Sequence, residues 1–172
     1  MMKQKRYLLL ALVMVVINFT AYILYKIVIA KQQNTIVKTN MQTLPDFNFY
    51  NLDSVAVSAN IVNKGRPVCI FYFNADCEFC QYEAREISKN IALFKDAQIL
   101  LVSFNTIADI KKFALDYKLN YPNVVFLQDP NFQFSTWFGK TGVPSVFIYD
   151  AQHRLINEFH GETKIEAIIK YL

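Results

Sequence analysis

The sequence predicts an α/β protein: a mixed central β-sheet flanked by helices, behind an N-terminal transmembrane helix. Three observations carry this. Strand-like and helix-like runs alternate between residues 67 and 119, two later strand-like runs flank a short polar turn, and residues 7–25 contain no charge. Alternation implies parallel strands joined by helical crossovers, whereas two runs joined by a turn imply an antiparallel hairpin.

At the front, the uncharged stretch Tyr7 to Tyr25 spans roughly 28 Å as a helix at about 1.5 Å per residue, close to the thickness of a bilayer's hydrocarbon core. Lys3, Lys5 and Arg6 precede it. Val28-Ile29-Ala30 resembles the cleavage site of a signal peptide, but the apolar run is longer than such a peptide's core and Lys26 interrupts it. The expected organisation is therefore a cytoplasmic tail over 1–6 and an uncleaved signal anchor over 7–30. Residues 31–42 are polar without a clear period and read as a linker, and 43–172 suffice for one compact domain.

Within that domain, Leu44–Leu52 and Ser54–Val62 are expected to form an N-terminal hairpin. Pro67-Val-Cys-Ile-Phe-Tyr-Phe73 is apolar and rich in β-branched and aromatic residues, as in a buried strand. Between Gln81 and Phe94, apolar residues return at Ala84, Ile87, Ile91 and Phe94, which is helical spacing. Ala97–Phe104 reads as a second buried strand, Thr106–Leu119 as an amphipathic helix and Asn123–Leu127 as a third strand. A short helix around Phe132–Phe138 stops at Gly139. Ser145–Tyr149 and Leu155–Phe159 form the closing hairpin, and Thr163–Leu172 a last helix.

Cys77-Glu78-Phe79-Cys80 falls at the first strand-to-helix junction. Two thiols three residues apart on one helix face can close a disulfide and reopen it, so this spacing near an αβ unit reads as a redox dithiol. Free N–H groups and the helix dipole favour a thiolate on the first cysteine, which is also expected to be the more exposed. A zinc site would need further ligands. The remaining candidates are Cys69, inside a predicted strand, and His153 and His160, far along the chain, so no metal is expected. Cys69 is expected to be buried, and the two histidines to be solitary surface residues.

The domain resembles the membrane-anchored TlpA/ResA-like thiol-disulfide oxidoreductases, thioredoxin-like proteins of the AhpC/TSA-related redoxin group. Leu44-Pro45-Asp46-Phe47, Cys77-Glu78-Phe79-Cys80-Gln81-Tyr82-Glu83 and Gly142-Val143-Pro144-Ser145-Val146-Phe147-Ile148 carry the likeness, in that order. The resemblance implies a thioredoxin-like fold without a cofactor. It implies that Cys77 is the nucleophile and Cys80 the resolving thiol of a redox-active disulfide. Val143-Pro144 would be a cis bond lying against the dithiol, where a substrate strand pairs with the Val143 backbone. Glu83 matches a glutamate kept near the thiols in that group, suited to take the Cys80 proton.

Departures from the pattern are informative. Phe71 stands where thioredoxin has a buried acid, which moves general-base duty to Glu83 or to water. Asp76 occupies the usual tryptophan position, and Phe79 replaces a common proline. The Phe79 ring is a candidate docking surface, although packing into the protein is the simpler expectation. Asp76 and Glu78 place negative charge beside Cys77, which argues for a reductase rather than a strong oxidant.

Lys26, Lys31 and Lys38 balance the basic residues before the span, so charge alone leaves its orientation tied. The chemistry breaks the tie, because protein disulfides persist outside the cytoplasm. The expected partners are a disulfide-containing protein, a thiol electron donor and the lipid bilayer. The net charge of +4 is concentrated around the span and forms no basic stripe or motif in the domain, which excludes a nucleic-acid role. Two alternatives share the cysteines. A thiol peroxidase would carry P-x-x-x-T-x-x-C, and the residues before Cys77 supply neither the proline nor the threonine. A copper-binding assembly module would favour a longer cysteine spacing with a distal histidine.

Overall fold

The computed structural model describes residues 2–172. Helix α1 (Met2–Asn40) contains a stretch, Leu12–Asn40, in which an 18-residue window reaches a mean hydropathy of 2.1, long and apolar enough to cross a membrane. The basic side chains of Lys3, Lys5 and Arg6, and Met1 itself, lie outside what is described. The chain divides into two units between Ile36 and Val37. Residues 31–40, read from sequence as an irregular tether, are helical. Few of their side chains break helices, so α1 continues past its apolar portion.

The second unit is built on one seven-stranded sheet in the order β2-β1-β5-β4-β3-β6-β7. The strands are β1 (Asn48–Tyr50), β2 (Ala56–Ser58), β3 (Val68–Phe73), β4 (Gln98–Ser103), β5 (Val124–Gln128), β6 (Ser145–Tyr149) and β7 (Leu155–His160). As alternation predicts, β3, β4 and β5 are mutually parallel. Strand β6 runs antiparallel to β3, and β7 antiparallel to β6. The N-terminal hairpin is present but shorter than expected, since residues 59–61 turn into a 3-10 helix.

Strand β3 is buried along its whole length. Cys69, Phe71 and Phe73 face one core, where they meet Ala84 and Ile87 of α2 (Glu78–Lys89) and Ile110 and Phe113 of α3 (Ile107–Asp116). Ile165 and Ile168 of α5 (Ile165–Ile169) complete it. Val68, Ile70 and Tyr72 face the other core, with Phe47, Phe49 and the residues of α4 (Phe134–Phe138). A strand covered on both faces must be apolar at every position, which is why this run shows no alternation. Aromatic rings dominate the second core: Phe134 stacks on Tyr72 at 4.0 Å and on Phe138 at 4.4 Å. The Asp129 carboxylate accepts from the backbone N–H groups of Gln133 and Phe134, both at 2.8 Å, and so supplies acceptors at the start of α4.

Three helices end earlier than periodicity suggested. Helix α2 stops at Lys89, because the Asn90 side chain and backbone both bond back to Glu86, and residues 91–94 continue as a 3-10 turn. Helix α3 starts after Thr106, whose hydroxyl accepts from Asp109 N–H, and is followed by Lys118 with φ of 54°. The closing helix is confined to Ile165–Ile169. The expected spans had counted the apolar residues just beyond each end, which pack without being α-helical.

Candidate active site

Where β3 leaves the sheet its backbone loses strand partners, and side chains with amide oxygens take over. The Asn74 carbonyl accepts from Cys77 N–H at 3.1 Å and its side-chain oxygen accepts from Asp76 N–H at 2.9 Å. Asn105, just past the end of β4, accepts from Ala75 N–H at 2.9 Å. The Gln81 amide reaches back from α2 to the Ala75 carbonyl at 2.8 Å. Residues 74–77 are thereby held from the neighbouring strand end, from within the turn and from the helix that follows.

Cys77 is the N-cap of α2. Its Sγ accepts from the Cys80 backbone N–H at 3.4 Å, the position usually taken by a serine or aspartate oxygen. The sulfur is thus aimed at the free N–H groups of the first turn, and the residue as a whole remains partly exposed. Cys80 is buried, 2% exposed. Burial raises its thiol pKa well above the ordinary value, reinforced by the hydrogen bond with Cys77 and the charges of Cys77 and Glu83, and a backbone bond from Asn74 offsets this in part. Both cysteines are thiols in this structure.

Glu83 sits one turn further along α2 and is only 3% exposed. Its Oε1 accepts from Thr163 N–H at 2.9 Å. Burial lifts the carboxyl to about 7; the Thr163 bond opposes this and the Glu162 charge adds to it. The solvated helix glutamate that a sequence reading must allow for is therefore not what the fold makes of this residue. Val143-Pro144 is a cis peptide bond. The β3–β6 ladder ends at the pair Tyr72–Ser145, so Pro144 directly precedes the end of the ladder at which β3 leads on into the Cys77 turn.

The remaining candidates separate. Phe79 is 56% exposed rather than packed, because it follows Glu78 on the outer side of the first helical turn. Cys69 is fully buried in β3, and burial raises its thiol pKa. Among the described residues no group of three or more His, Cys, Asp or Glu side chains could hold a metal ion. His160 is not solitary: its Nδ1 lies 2.9 Å from Thr141 Oγ1 and 3.2 Å from Ser145 Oγ. Asn105, Gln81, Thr163 and His160 were missed from sequence. For Asn74 and Asn105 a signal existed, since an asparagine directly after a buried apolar run marks the point where strand pairing gives way to side-chain acceptors.

Residues 41–158 match the model of the AhpC/TSA family. Among solved structures, dsbF of Mycobacterium tuberculosis is 17% identical, with a TM-score of 0.64 over 73% of this chain and 92% of that one. A secreted Mycobacterium tuberculosis disulfide oxidoreductase homologous to E. coli DsbE is 16% identical, with a TM-score of 0.61 over 73% and 93%. An uncharacterized thioredoxin-like protein from Porphyromonas gingivalis is 25% identical, with a TM-score of 0.61 over 74% and 88%. No curated protein sequence matches the chain. The fold is thioredoxin-like, as the quoted motifs implied.

The raised Glu83 carboxyl makes stability depend on pH. Its folded-state pKa lies above that of an unfolded glutamate, so the folded protein binds this proton more tightly. The stabilisation is complete below about pH 4 and is lost as pH rises through about 7, a change on the order of 3 kcal/mol. The melting temperature of the reduced chain in detergent should fall between about pH 5 and about pH 8, and Glu83→Gln should remove most of that fall. An unchanged pH dependence in the variant would show that this carboxyl is not the group responsible.

Proposed function

The chain belongs to the AhpC/TSA family, and on that premise we propose that it is a membrane-tethered thiol-disulfide oxidoreductase that reduces protein disulfides outside the cytoplasm. The observation that carries the reading is the inequality of the two thiols: Cys77 at the helix start and partly exposed, Cys80 buried one turn inside. An attacking thiol needs access and a stabilised thiolate, and a resolving thiol needs to be kept from other partners.

Cys77 attacks one sulfur of a substrate disulfide; that S–S bond breaks, a Cys77–substrate disulfide forms, and the first substrate thiolate leaves and takes a proton. Cys80 then gives its proton to the Glu83 carboxylate, directly or through water, and attacks the Cys77 sulfur. The second substrate thiol is released, and the two electrons delivered leave a Cys77–Cys80 disulfide, which a thiol donor must reduce. A carboxyl that titrates near 7 suits this transfer near neutral pH. Val143 and Pro144 would receive the substrate strand, and exposed Phe79 would meet it beside Cys77.

Replacing Cys80 by Ser should leave attack intact and block resolution, so that mixed disulfides accumulate in cells and are released by added thiol. Cys77→Ser should trap almost none, and Cys69→Ser should change neither result. Equal trapping by the Cys77→Ser and Cys80→Ser chains would overturn the assignment of roles. Peroxide consumption without any partner protein would favour the peroxidase alternative instead.

The direction of electron flow rests on charge. Asp76 and Glu78 flank Cys77 and oppose the charged, reduced form of the couple. Asp76→Asn combined with Glu78→Gln should raise the reduction potential measured against glutathione. A parent couple already near about −120 mV would be a strong oxidant and would contradict the reductase reading.

Tethering and sidedness are supported by the apolar N-terminal helix and by the need for an oxidising compartment. A reporter active only in the cytoplasm, fused after Leu172, should be silent. Its activity would reverse the topology.

A further inference from the structure

Three side chains converge behind the loop that precedes β6. Ser145 Oγ donates to the Gly142 carbonyl at 2.9 Å, Thr141 Oγ1 lies 2.5 Å from Ser145 Oγ, and His160 Nδ1 lies 2.9 Å from Thr141 Oγ1. Ser145 and His160 are cross-strand partners in the β6–β7 register. Each hydroxyl has one proton to give. If Ser145 gives its proton to Gly142, the proton between the two hydroxyls must come from Thr141, and the bond to the ring must then be donated by Nδ1–H. In the opposite direction, with Ser145 donating to Thr141 and Thr141 to Nδ1, the Gly142 carbonyl loses its closest donor. Only the chain from ring to carbonyl keeps the 2.9 Å bond from Ser145 to Gly142 together with both hydroxyl contacts, in a cluster where Thr141 Oγ1 also lies 3.4 Å from the Gly142 oxygen and Nδ1 lies 3.2 Å from Ser145 Oγ.

The end of that chain matters because a peptide unit is planar. The Gly142 carbonyl and the Val143 N–H belong to one plane and point in opposite directions, so tying the carbonyl to Ser145 turns the Val143 N–H away from Ser145. Among the described residues that N–H has no hydrogen-bond partner. Pro144 has no N–H at all, so Val143 supplies the last free donor before β6.

We propose that His160 is a positioning residue for substrate docking, fixing the Gly142–Val143 peptide through Thr141 and Ser145 so that the Val143 N–H is presented to an extended segment of a disulfide-bonded protein. This rests on the reading of the Cys77/Cys80 dithiol as a reductant of protein disulfides. The ring itself is half exposed, so it can be replaced without opening the core. In this role the ring donates from Nδ1; the Glu158 carboxylate, 3.7 Å from Nε2, attracts a proton to the other nitrogen, which is why the tautomer is measured directly.

The test uses the full chain in detergent with two substrates, a disulfide-bonded protein that must dock as a strand and a small aromatic disulfide that need not. His160→Ala should raise KM for the protein substrate by about fivefold, the worth of one hydrogen bond, with kcat within about twofold. The rate with the small disulfide and the reduction potential should not move. His160→Asn, whose amide N–H overlays Nδ1, should restore KM, and His160→Gln, whose amide overlays Nε2, should not. Nitrogen-15 spectra of the parent should show a proton on His160 Nδ1. An unprotonated Nδ1, or a KM for the protein substrate that His160→Ala leaves unchanged in a chain active on both substrates, overturns the docking role alone. A parent chain that reduces neither substrate sinks the reductase reading, and the docking role falls with it.

Discussion

Everything at the site depends on how β3 runs out of the sheet. The strand is buried on both faces and hydrogen-bonded on both edges, to β4 and to β6, so its path is fixed up to Phe73. Beyond that residue the backbone would have unsatisfied polar groups in a partly buried place, which costs about as much as several lost hydrogen bonds. Asn74, Asn105 and Gln81 satisfy them one by one. The turn that carries Cys77 is consequently as constrained as the strand behind it, and the N-cap position of the sulfur follows from that constraint.

A second consequence is the contrast in environment over one helical turn. Cys77 stands at the open end of α2, whereas Cys80 and Glu83 lie on the face that α2 turns toward the sheet, together with Ala84 and Ile87. A carboxyl on that face loses water, and the single N–H from Thr163 compensates only in part. Burial is destabilising for the ionised form, and in the proposed mechanism it is useful, because it would hold a proton acceptor near neutral pH beside the thiol that gives up its proton.

Much of this was legible in the sequence, for reasons that differ by residue. The strands of the central sheet read correctly because apolar runs bounded by polar residues have few other interpretations, and the order of the runs fixed which neighbours are parallel. Cys77 and Cys80 were legible as neighbours at a helix start, because a strand-to-helix junction and a spacing of three place them one turn apart. Helix ends were not, since Ile91, Phe94 and Leu119 pack into the cores from 3-10 and irregular backbone, and periodicity registers burial rather than hydrogen bonding. Phe79 illustrates the converse: its composition suggests packing, but the helix phase set by Cys77 and Cys80 leaves it outside. The His160 chain was illegible because its members are up to nineteen residues apart and meet only through the β6–β7 register.

That register has a wider implication for how the two halves of the site are kept in step. The Cys77 turn hangs from β3 and β4, whereas the Val143-Pro144 loop hangs from β6 and β7, and the two sets meet in the β3–β6 ladder. Each loop has its own polar anchor at the strand end, Asn105 for one and Ser145 for the other. If the ladder fixes the separation of the loops and the anchors fix the orientation of each peptide, attack geometry and strand docking are set by different hydrogen bonds. Under the proposed reduction of protein disulfides, substitutions at the Ser145 anchor would alter how a protein substrate is held while leaving the chemistry of the thiols alone, and the reverse would hold for the Asn105 anchor.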